Sequence, residues 1–431
     1  ISIVHKRRLS EAFIRQARRR TLYVLSAGIL SLGTAYLTDD RYELKSELYP
    51  ANVCYNIALA FQRTAQTRNY HKTSKDFTFH ARSTHQADER EVYVMVVGET
   101  SRACNWALYG YERETNPGLS GIGGLTAFSH VLTESNTTHK SVPMLLSPVS
   151  ASSFDSIYYQ KGIITAFKEA GYQTAFFSNQ RYNHSFIDFF GKEADTYDFI
   201  KEDVGDSNYN PSDDKLLKLV AKELGKGVSR QFIVLHTYGS HFNYKERYPA
   251  EQAFFLPDMP VDAEVKYKDN LINAYDNSIR YTDNFLVRLI DMLQKQHVNS
   301  ALIYTSDHGE DIFDDNRHLF LHASPVPSYY QIHVPFFIWM SDNYRQRYPS
   351  LLEAAQANRQ KNVSSSASFF QTMLEIGGVE TPYRNDSLSV TSALFIERPR
   401  VYLNDHNEAR TLDDVGMLKE DFKMLEEKGI R

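Results

Sequence analysis

The chain has few cysteines and little excess charge, and both features narrow its function. Cys54 and Cys104 are its two cysteines, too few for a disulfide framework, and neither has the spacing of a zinc or thiol-redox motif. A formal net charge of -5 over 431 residues gives no basis for a nucleic-acid partner. With 42% hydrophobic and 23% charged residues, the composition indicates a folded globular protein, and the length allows a large α/β unit with an appendage.

Long hydrophobic runs are also scarce, apart from one near the N-terminus. Residues 21–37 carry no charge and directly follow the basic segment 15–20. The run has the minimum length for crossing a bilayer, roughly 17–25 residues. A buried helix and a signal peptide are the alternatives, although the polar residues before the run disfavour a signal peptide. We predict a cytoplasmic basic segment and the last transmembrane helix in residues 1–37, with the remaining chain outside the cytoplasm.

The rest of the chain divides into a linker, a large domain and a tail. Residues 38–90 predict a juxtamembrane linker, in which the amphipathic stretch 52–64 could lie on the membrane or dock on the main domain. Residues 91–400 alternate between short apolar runs and helical patterns, which predicts a three-layer α/β/α sandwich around a mostly parallel sheet. Residues 401–431 predict a charged, solvated tail. Because the first residue is Ile, we expect that upstream sequence is missing.

Individual elements of the large domain follow from the same patterns. The predicted strands are 91–97, 173–178, 231–237, 301–306 and 334–340. The predicted helices include 158–171, 212–225 and 266–296. Ser212 is the expected N-cap of the second helix, and Gly225 its C-terminal stop.

Acidic and imidazole side chains directly follow three of the predicted strands. Glu99 follows the strand 91–97, the segment HTYGSH ends another strand, and Asp307 with His308 ends a third. Ligands bind beyond the carboxyl ends of strands in such folds, so these side chains are expected to converge. A carboxylate and an imidazole suit zinc or manganese. A simple helix cap is the alternative for each carboxylate taken alone.

The stretch ESNTTHKSVPMLL, residues 134–146, offers a nucleophile. Pro143 fits the first turn of a helix, so Thr137 and Thr138 would stand at its N-terminus, where backbone N–H groups can receive a phosphoryl group. An alcohol attacks only when a base or a metal ion stabilises its alkoxide. A threonine hydroxyl as fourth ligand of a zinc ion would meet this condition. Spacing alone equally allows a plain helix cap.

Six motifs carry a family resemblance. They are VVGETSRACNWALYGYERETNPGL, TTHKSVPMLLS, LHTYGSHFNYKERYP, INAYDNSIRYTDNFL, SDHGED and FLHASP. In this order they resemble the phosphoethanolamine transferases of the alkaline-phosphatase and sulfatase superfamily, closely over residues 92–340. That family includes the lipid A transferases that confer polymyxin resistance. The resemblance implies an alkaline-phosphatase/sulfatase-like fold, an inner-membrane enzyme with a periplasmic catalytic domain, and transfer of phosphoethanolamine from phosphatidylethanolamine to lipid A or another envelope glycan.

The resemblance also implies roles for individual residues. The implied site residues are Glu99, Thr138, Asp307, His308, His241 and His322. The first four would bind one zinc ion, a second ion being possible, and the family motif selects Thr138 over Thr137 as nucleophile. His241 and His322 would contact the transferred phosphate or a second zinc, and one of them is the candidate general acid. His236 is expected to be satisfied within the fold, and His318 has no assigned role.

Some positions depart from the family pattern. The sulfatase signature Cys-x-Pro-x-Arg is absent, so we expect no cysteine-derived nucleophile. Two cysteines cannot reproduce the several disulfides common in related enzymes. His184 replaces a lysine that some relatives carry, and Phe242-Asn243 replaces a Gly-Pro. The rival functions are a glycerol-phosphate transferase or metal-dependent phosphodiesterase of the same superfamily, and a catalytically silent membrane-anchored binding module.

Overall fold

The chain forms two units, each with its own internal contacts. A computed structural model describes residues 10–38, 45, 48–86, 90–201 and 210–430. The units are Ile1–Asn69 and Tyr70–Arg431. The predicted linker 38–90 therefore does not end where the large unit begins. Tyr70 already belongs to the large unit, since it is buried, stacks on Phe189 with 5.1 Å between ring centroids, and donates to the Gln160 carbonyl at 2.9 Å.

Two helices account for most of the first unit. Helix α1 spans Glu11–Thr38 and is long and apolar enough to cross a membrane by length and composition. The predicted membrane run 21–37 lies inside it, and the basic residues before the run belong to the same helix. Helix α2, Ala51–Thr73, contains the predicted amphipathic stretch and continues beyond it into the large unit. Residues 1–9, 39–44, 46–47, 87–89, 202–209 and 431 lie outside the described residues.

A seven-stranded mixed sheet forms the centre of the large unit. Its strands are β1 Glu91–Gly98, β2 Leu125–Phe128, β3 Gln173–Ser178, β4 Thr196–Phe199, β5 Arg230–His236, β6 Asn299–Ser306 and β7 Phe336–Met340. Their spatial order is β2-β7-β6-β1-β5-β3-β4, and β7 runs antiparallel to both of its neighbours. The five predicted strands are confirmed to within two residues at their ends. Sequence patterns missed β2 and β4, the edge strands, because their partly exposed residues break up the apolar run.

Helices cover the sheet, and four pairs of two-residue strands lie in the connecting segments. The helices are α3 Thr138–Leu145, α4 Ile163–Glu169, α5 Phe186–Gly191, α6 Asp214–Leu224, α7 Lys268–Gln294, α8 Tyr329–Ile332, α9 Asp342–Arg347, α10 Pro349–Asn358, α11 Ser365–Ile376 and α12 Lys419–Glu427. The two-residue pairs are Arg82–Ser83 with Val379–Glu380, Val131–Leu132 with Val363–Ser364, Asp311–Ile312 with Phe320–Leu321, and Tyr402–Leu403 with Ala409–Arg410.

Two helix predictions need correction. The helix predicted over 158–171 is confined to α4, because Gly162 takes an extended conformation at its N-cap. The predicted cap Ser212 is wrong by one residue, since Asp213 occupies the N-cap of α6. The carboxylate of Asp213 instead accepts hydrogen bonds from the backbone amides of Tyr238 and Gly239, at 2.8 and 3.0 Å. This contact ties α6 to the segment that follows β5.

The side chains of β1 alternate between two apolar cores, one on each face of the sheet. Tyr93, Met95 and Val97 belong to one apolar cluster, together with residues of α3 and α11. The intervening valines, from Val92 to Val96, belong to the other cluster, together with residues of α6 and α7. Successive side chains of a strand point to opposite faces, so helices pack on both sides of the sheet. The predicted three-layer α/β/α architecture is confirmed, with the sheet buried in the middle layer.

The C-terminal segment is packed and not solvated. Leu412, Met417, Leu425 and Ile430 are buried and form a third apolar cluster with residues around α8. Asp421 of α12 is also buried and pairs with Arg317, Oδ2 to Nη1, at 2.5 Å. The prediction of a solvated tail over 401–431 is therefore wrong, since this segment contributes to the core.

Candidate active site

Three strand ends that lie side by side form the site. Strands β6, β1 and β5 are neighbours and parallel, so their carboxyl ends share one edge of the sheet. Gly98 pairs with Ser306 across β1 and β6. Glu99 and Asp307 are the next residues of these strands and emerge at the same level. With His308 they form a buried cluster whose ligand atoms lie within 4.8 Å of one another. The structure thus brings the three predicted metal ligands together.

The hydroxyl of Thr138, the first residue of α3, joins this cluster. Its Oγ1 donates to Glu99 Oε1 at 2.9 Å and lies 3.1 Å from His308 Nε2. Thr137 is the N-cap residue, and its hydroxyl instead contacts Ser135 Oγ at 3.2 Å. Of the two threonines that spacing left open, Thr138 is the one whose hydroxyl faces the cluster.

The donor atoms of this cluster suit a divalent cation. Asp307 Oδ1 accepts hydrogen bonds from the backbone amides of Thr100 and His308, at 3.0 and 2.7 Å. Asp307 Oδ2 is buried without a hydrogen-bond partner among the described residues. His308 Nδ1 lies 2.9 Å from the Gly309 carbonyl, to which it donates, so Nε2 keeps a lone pair toward the cluster. A carboxylate oxygen without a hydrogen-bond partner, beside an imidazole nitrogen that keeps its lone pair, is a zinc-type ligand set.

The pKa shifts of Asp307 and Glu99 also favour a bound cation. Burial raises the pKa of Asp307 well above its usual range, and the adjacent Glu99 carboxylate raises it further. Burial also acts to raise the pKa of Glu99, but the imidazoles of His236, His308 and His241 outweigh it and hold that pKa below its usual range. Two adjacent buried carboxylates therefore disfavour carrying both charges at once unless a cation compensates them, as a metal ion bound at this cluster would.

Two glycines allow the backbone to close around the ligands. Gly239 has a φ of +46°, and a Cβ there would stand 2.6 Å from the Glu99 carbonyl oxygen. At Gly309 a Cβ would collide with the Tyr330 carbonyl oxygen, because the backbone of that segment approaches closely. Both positions therefore exclude larger residues.

The predicted substrate-binding histidines stand beside the cluster. The His322 ring lies 4.2 Å from the His308 ring and 6.1 Å from the His241 ring, measured between centroids. His322 Nδ1 lies 3.4 Å from Glu310 Oε2. Burial lowers the pKa of His322, but the Glu310 carboxylate outweighs it and raises that pKa above its ordinary value. Burial and then His322 lower the pKa of His308 to about 3, which keeps its imidazole neutral for ligation.

Sequence reasoning missed two neighbours of Glu99. Gln180 Nε2 donates to Glu99 Oε2 and to the Thr237 carbonyl, both at 3.2 Å. His236 Nε2 lies 3.7 Å from Glu99 Oε2, and its Nδ1 lies 3.5 Å from Ser178 Oγ, so the histidine expected to be satisfied within the fold has polar neighbours at both ring nitrogens and borders the cluster. Both follow or end a central strand, β3 or β5, and that position was the available signal.

His184 and His318 lie on the surface. His184 is exposed beside the Tyr182 ring, 4.5 Å between centroids, and His318 is exposed as well. The loop after β3 contributes Gln180 to the site and turns His184 outward.

Residues 91–379 match the model of the sulfatase family. The chain belongs to the sulfatase family. Within it, the chain is 30% identical to the phosphoethanolamine transferase EptA of Salmonella typhimurium, over 69% of this chain and 55% of that protein. It is also 30% identical to the Kdo(2)-lipid A phosphoethanolamine 7''-transferase of Escherichia coli K12, over 67% of this chain and 51% of that protein. This sulfatase-family chain thus spans about half the length of the curated relatives it matches.

Solved structures support the same fold. The zinc complex of the C-terminal periplasmic domain of EptC from Escherichia coli aligns with a TM-score of 0.71 at 23% identity, covering 79% of this sulfatase-family chain and 97% of that domain. At this level of identity the similarity concerns the fold. The predicted alkaline-phosphatase/sulfatase-like architecture is therefore confirmed.

Proposed function

We propose that this chain is a zinc-dependent phosphoethanolamine transferase that uses Thr138 as its nucleophile. The observation that carries the proposal is the Thr138 hydroxyl, held 2.9 Å from Glu99 Oε1 and 3.1 Å from His308 Nε2 at the start of a helix. The names of the relatives, phosphoethanolamine transferases and a Kdo(2)-lipid A transferase among them, support the transferred group and the acceptor class. The zinc complex of the EptC domain supports the metal.

Glu99, Asp307, His308 and Thr138 would hold the zinc ion. When bound, the ion lowers the pKa of the threonine hydroxyl and neutralises phosphoryl oxygens. Thr138 Oγ1 attacks the phosphorus of phosphatidylethanolamine, an O–P bond to Thr138 forms, and the O–P bond to diacylglycerol breaks. The backbone N–H groups that begin α3 receive the phosphoryl oxygens. His322 or His241 returns the proton to the leaving alkoxide, and the raised pKa of His322 suits that role.

The second half of the reaction regenerates the threonine. A phosphate or hydroxyl oxygen of lipid A, or of another envelope glycan, attacks the phosphoethanolamine-threonine, and the O–P bond to Thr138 breaks. The histidine that protonated diacylglycerol takes up the proton of an attacking hydroxyl, or a proton from solvent when the attacking oxygen is an ionised phosphate, and so returns to its starting state. The chain acts at the inner membrane with its catalytic unit in the periplasm. Helix α1 supports this location because it can cross a bilayer by length and composition.

A direct test uses Thr138→Ala. Incubation of the full chain in detergent with zinc and phosphatidylethanolamine should add one phosphoethanolamine to the peptide that contains Thr138, detected by its mass. Thr138→Ala should lose the adduct and lower the transfer rate at least about 10³-fold, because the attacking oxygen is gone. The mass of the adduct on this peptide also distinguishes transfer of phosphoethanolamine from transfer of glycerol phosphate.

The neighbouring threonine supplies the matched control. Thr137→Ala removes a hydroxyl that contacts Ser135 and lies outside the ligand cluster, so the adduct should still form. Zinc content, measured by atomic emission, should stay near one ion or more per chain in both variants. Undiminished transfer by Thr138→Ala, or an adduct on another residue, would refute the assignment.

A further inference from the structure

Two buried cations pack on one tyrosine at the border of the site. Lys201 Nζ lies over the Tyr238 ring at 2.8 Å from its centroid, and Arg247 Cζ lies 4.1 Å from the same centroid. Lys201 is 7% exposed and Arg247 6%. The Tyr238 ring stacks on the ring of His241, with 4.9 Å between centroids and 13° between planes. The pair is therefore one ring away from a histidine of the proposed active site.

The two cations differ in how their charge is met. The Arg247 guanidinium donates to Glu246 Oε2 at 3.1 Å and to Asn210 Oδ1 at 3.1 Å. Lys201 makes neither a hydrogen bond nor an ion pair with the part of the chain that the structure describes, and its one recorded contact is with Tyr238. The carboxylates of Asp213 and Glu99 act on Lys201 only at longer range, and a buried ammonium group without an anion in contact with it is destabilising. Burial and then the charge of Arg247 lower the pKa of Lys201 to about 7.

We propose that Lys201 and Arg247, held on Tyr238, form a subsite that binds a phosphate group of a substrate beside the metal centre. An anion bound beside Lys201 would meet an ammonium group that has no ion pair with the described residues, and it would offset the repulsion from Arg247. A guanidinium and an ammonium group together are the usual donors to a phosphate. A cationic or neutral group would gain no such attraction.

This subsite rests on the proposed function, and it is separate from the position of the transferred phosphoryl group. That group would be held by the zinc ligands and by the start of α3. Lys201 instead follows β4, and Tyr238 follows β5 and stacks on His241, so the subsite adds a second anion position beside that histidine. In the proposed reaction the ligand is a phosphate monoester of the acceptor or the phosphodiester of the donor.

Binding measurements test the subsite without turnover. The full chain in detergent, loaded with zinc and carrying Thr138→Ala, is titrated by calorimetry with glucosamine 1-phosphate and with glycerophosphoethanolamine. Lys201→Met keeps most of the stem and removes the charge, and it should weaken binding of a probe about tenfold or more. Lys201→Arg should restore affinity to within about threefold, because it restores the cation.

The pattern across the two probes identifies the substrate. A loss confined to glucosamine 1-phosphate assigns the subsite to the acceptor, and a loss confined to glycerophosphoethanolamine assigns it to the donor. If the Lys201→Met protein binds each probe with the same affinity as the parent, the proposal is overturned. If that protein does not fold, judged by tryptophan fluorescence, Lys201→Gln gives the same comparison. The outcome does not depend on a Thr138 adduct, so failure of the subsite and failure of the transfer reaction are distinguishable.

Lys192 is the matched control for these titrations. Its Nζ also lies over a tyrosine, 3.9 Å from the Tyr182 ring centroid, but the side chain is exposed. Lys192→Met should bind both probes as the parent does. A loss of equal size in this control would mean that general charge, and not a built subsite, holds the anion, and it would overturn the proposal.

Discussion

Single buried carboxylates serve different purposes in this chain. Asp307 has an unpartnered oxygen next to Glu99 and His308, an arrangement that suits a cation. Asp283 of α7 instead uses both oxygens to bind backbone, accepting from Leu119 N at 3.0 Å and Gly118 N at 2.9 Å. Burial alone therefore does not identify a site. What separates the two carboxylates is whether the surrounding backbone already satisfies them.

Asp283 makes stability depend on pH in a defined direction. Burial raises its pKa from 3.8 to about 6, although the two backbone hydrogen bonds oppose the rise. The folded state then binds the proton more tightly than the unfolded state, so this contribution to stability is full at low pH and is lost as pH rises from about 4 to about 6. Asp283→Asn cannot lose a proton. The free energy of unfolding of Asp283→Asn, minus that of wild type, should therefore rise by on the order of 2–3 kcal/mol as the pH goes from about 4 to about 6.

Urea unfolding of the full chain in detergent, followed by tryptophan fluorescence, measures this difference. Trp106 and Trp339 are both buried in the sulfatase-family unit, so the signal reports that unit. Asp291→Asn, an exposed carboxylate of the same helix, is the control and should differ from wild type by less than about 0.5 kcal/mol. A difference for Asp283→Asn that stays flat between pH 4 and 7 would contradict the assignment.

At the level of elements, helix α7 holds a loop that no disulfide secures. Asn270, Asn273 and Asn277 repeat at helical spacing on one face of α7. Their side-chain amides donate to the carbonyls of the loop 254–259, at 2.8, 2.8 and 2.9 Å. Both cysteines are free. Side-chain amides therefore do here what a covalent link does in disulfide-bonded proteins, since they fix the backbone of an irregular segment.

Of the three asparagines, Asn277 also binds the loop through its side-chain oxygen. Its Oδ1 accepts from the backbone amides of Phe254 and Phe255, at 2.9 and 2.8 Å, and the residue is buried. Asn277→Ala would leave these donors without a partner. We expect a loss of about 2–3 kcal/mol in the free energy of unfolding and faster proteolysis within 254–259.

Asn284→Ala is the control for this helix. Asn284 is exposed on α7, so its removal should change stability by less than about 0.5 kcal/mol. Urea unfolding and limited proteolysis of both variants decide the matter. Equal stability of the Asn277→Ala and wild-type proteins would show that the loop does not depend on this clamp.

For the whole molecule, the C-terminal segment completes the large unit around helix α3. Leu403 N donates to the Glu134 carbonyl at 2.7 Å, and Lys140 Nζ of α3 donates to the Asn404 carbonyl at 2.8 Å. The segment thus supports the helix that begins with Thr138. Residues distant in sequence therefore fix the position of Thr138, the proposed nucleophile, so damage at the C-terminus should reach the candidate active site.

Asp421 anchors the end of the C-terminal segment to Arg317 and to the start of α8. Its Oδ1 accepts from Arg317 Nη2 and from Tyr329 N, both at 2.9 Å. Asp421→Ala leaves a partly buried guanidinium with Asp315 as its remaining acidic partner and a buried amide with none. We expect a loss of about 2–3 kcal/mol in unfolding free energy.

The exposed pair Lys423 and Glu427, 3.7 Å apart on the same helix, provides the comparison. Lys423→Ala should cost less than about 0.5 kcal/mol in urea unfolding. If Asp421→Ala is as stable as Lys423→Ala, the C-terminal segment is dispensable for the core, contrary to its packing.

The sequence alone determined which strand ends carry the site residues and that these ends meet at one edge of the sheet. Glu99, Asp307 and His308 could be found because each follows an apolar run, and parallel strands end at one edge. The edge strands β2 and β4 could not be found, because half-exposed strands lack such a run. The C-terminal cluster escaped for a similar reason, since its apolar residues are separated by charged ones.

Only the tertiary structure decided between Thr137 and Thr138 from geometry, and only it placed Lys201 beside Tyr238. Adjacent residues at a helix start differ little in pattern but point in different directions, so spacing cannot choose between them. Contacts between segments far apart in the chain leave no periodic trace, because each segment satisfies its own local pattern whatever it packs against. The chemistry of single strand ends is written locally, whereas the partners of each side chain exist only once the chain has folded.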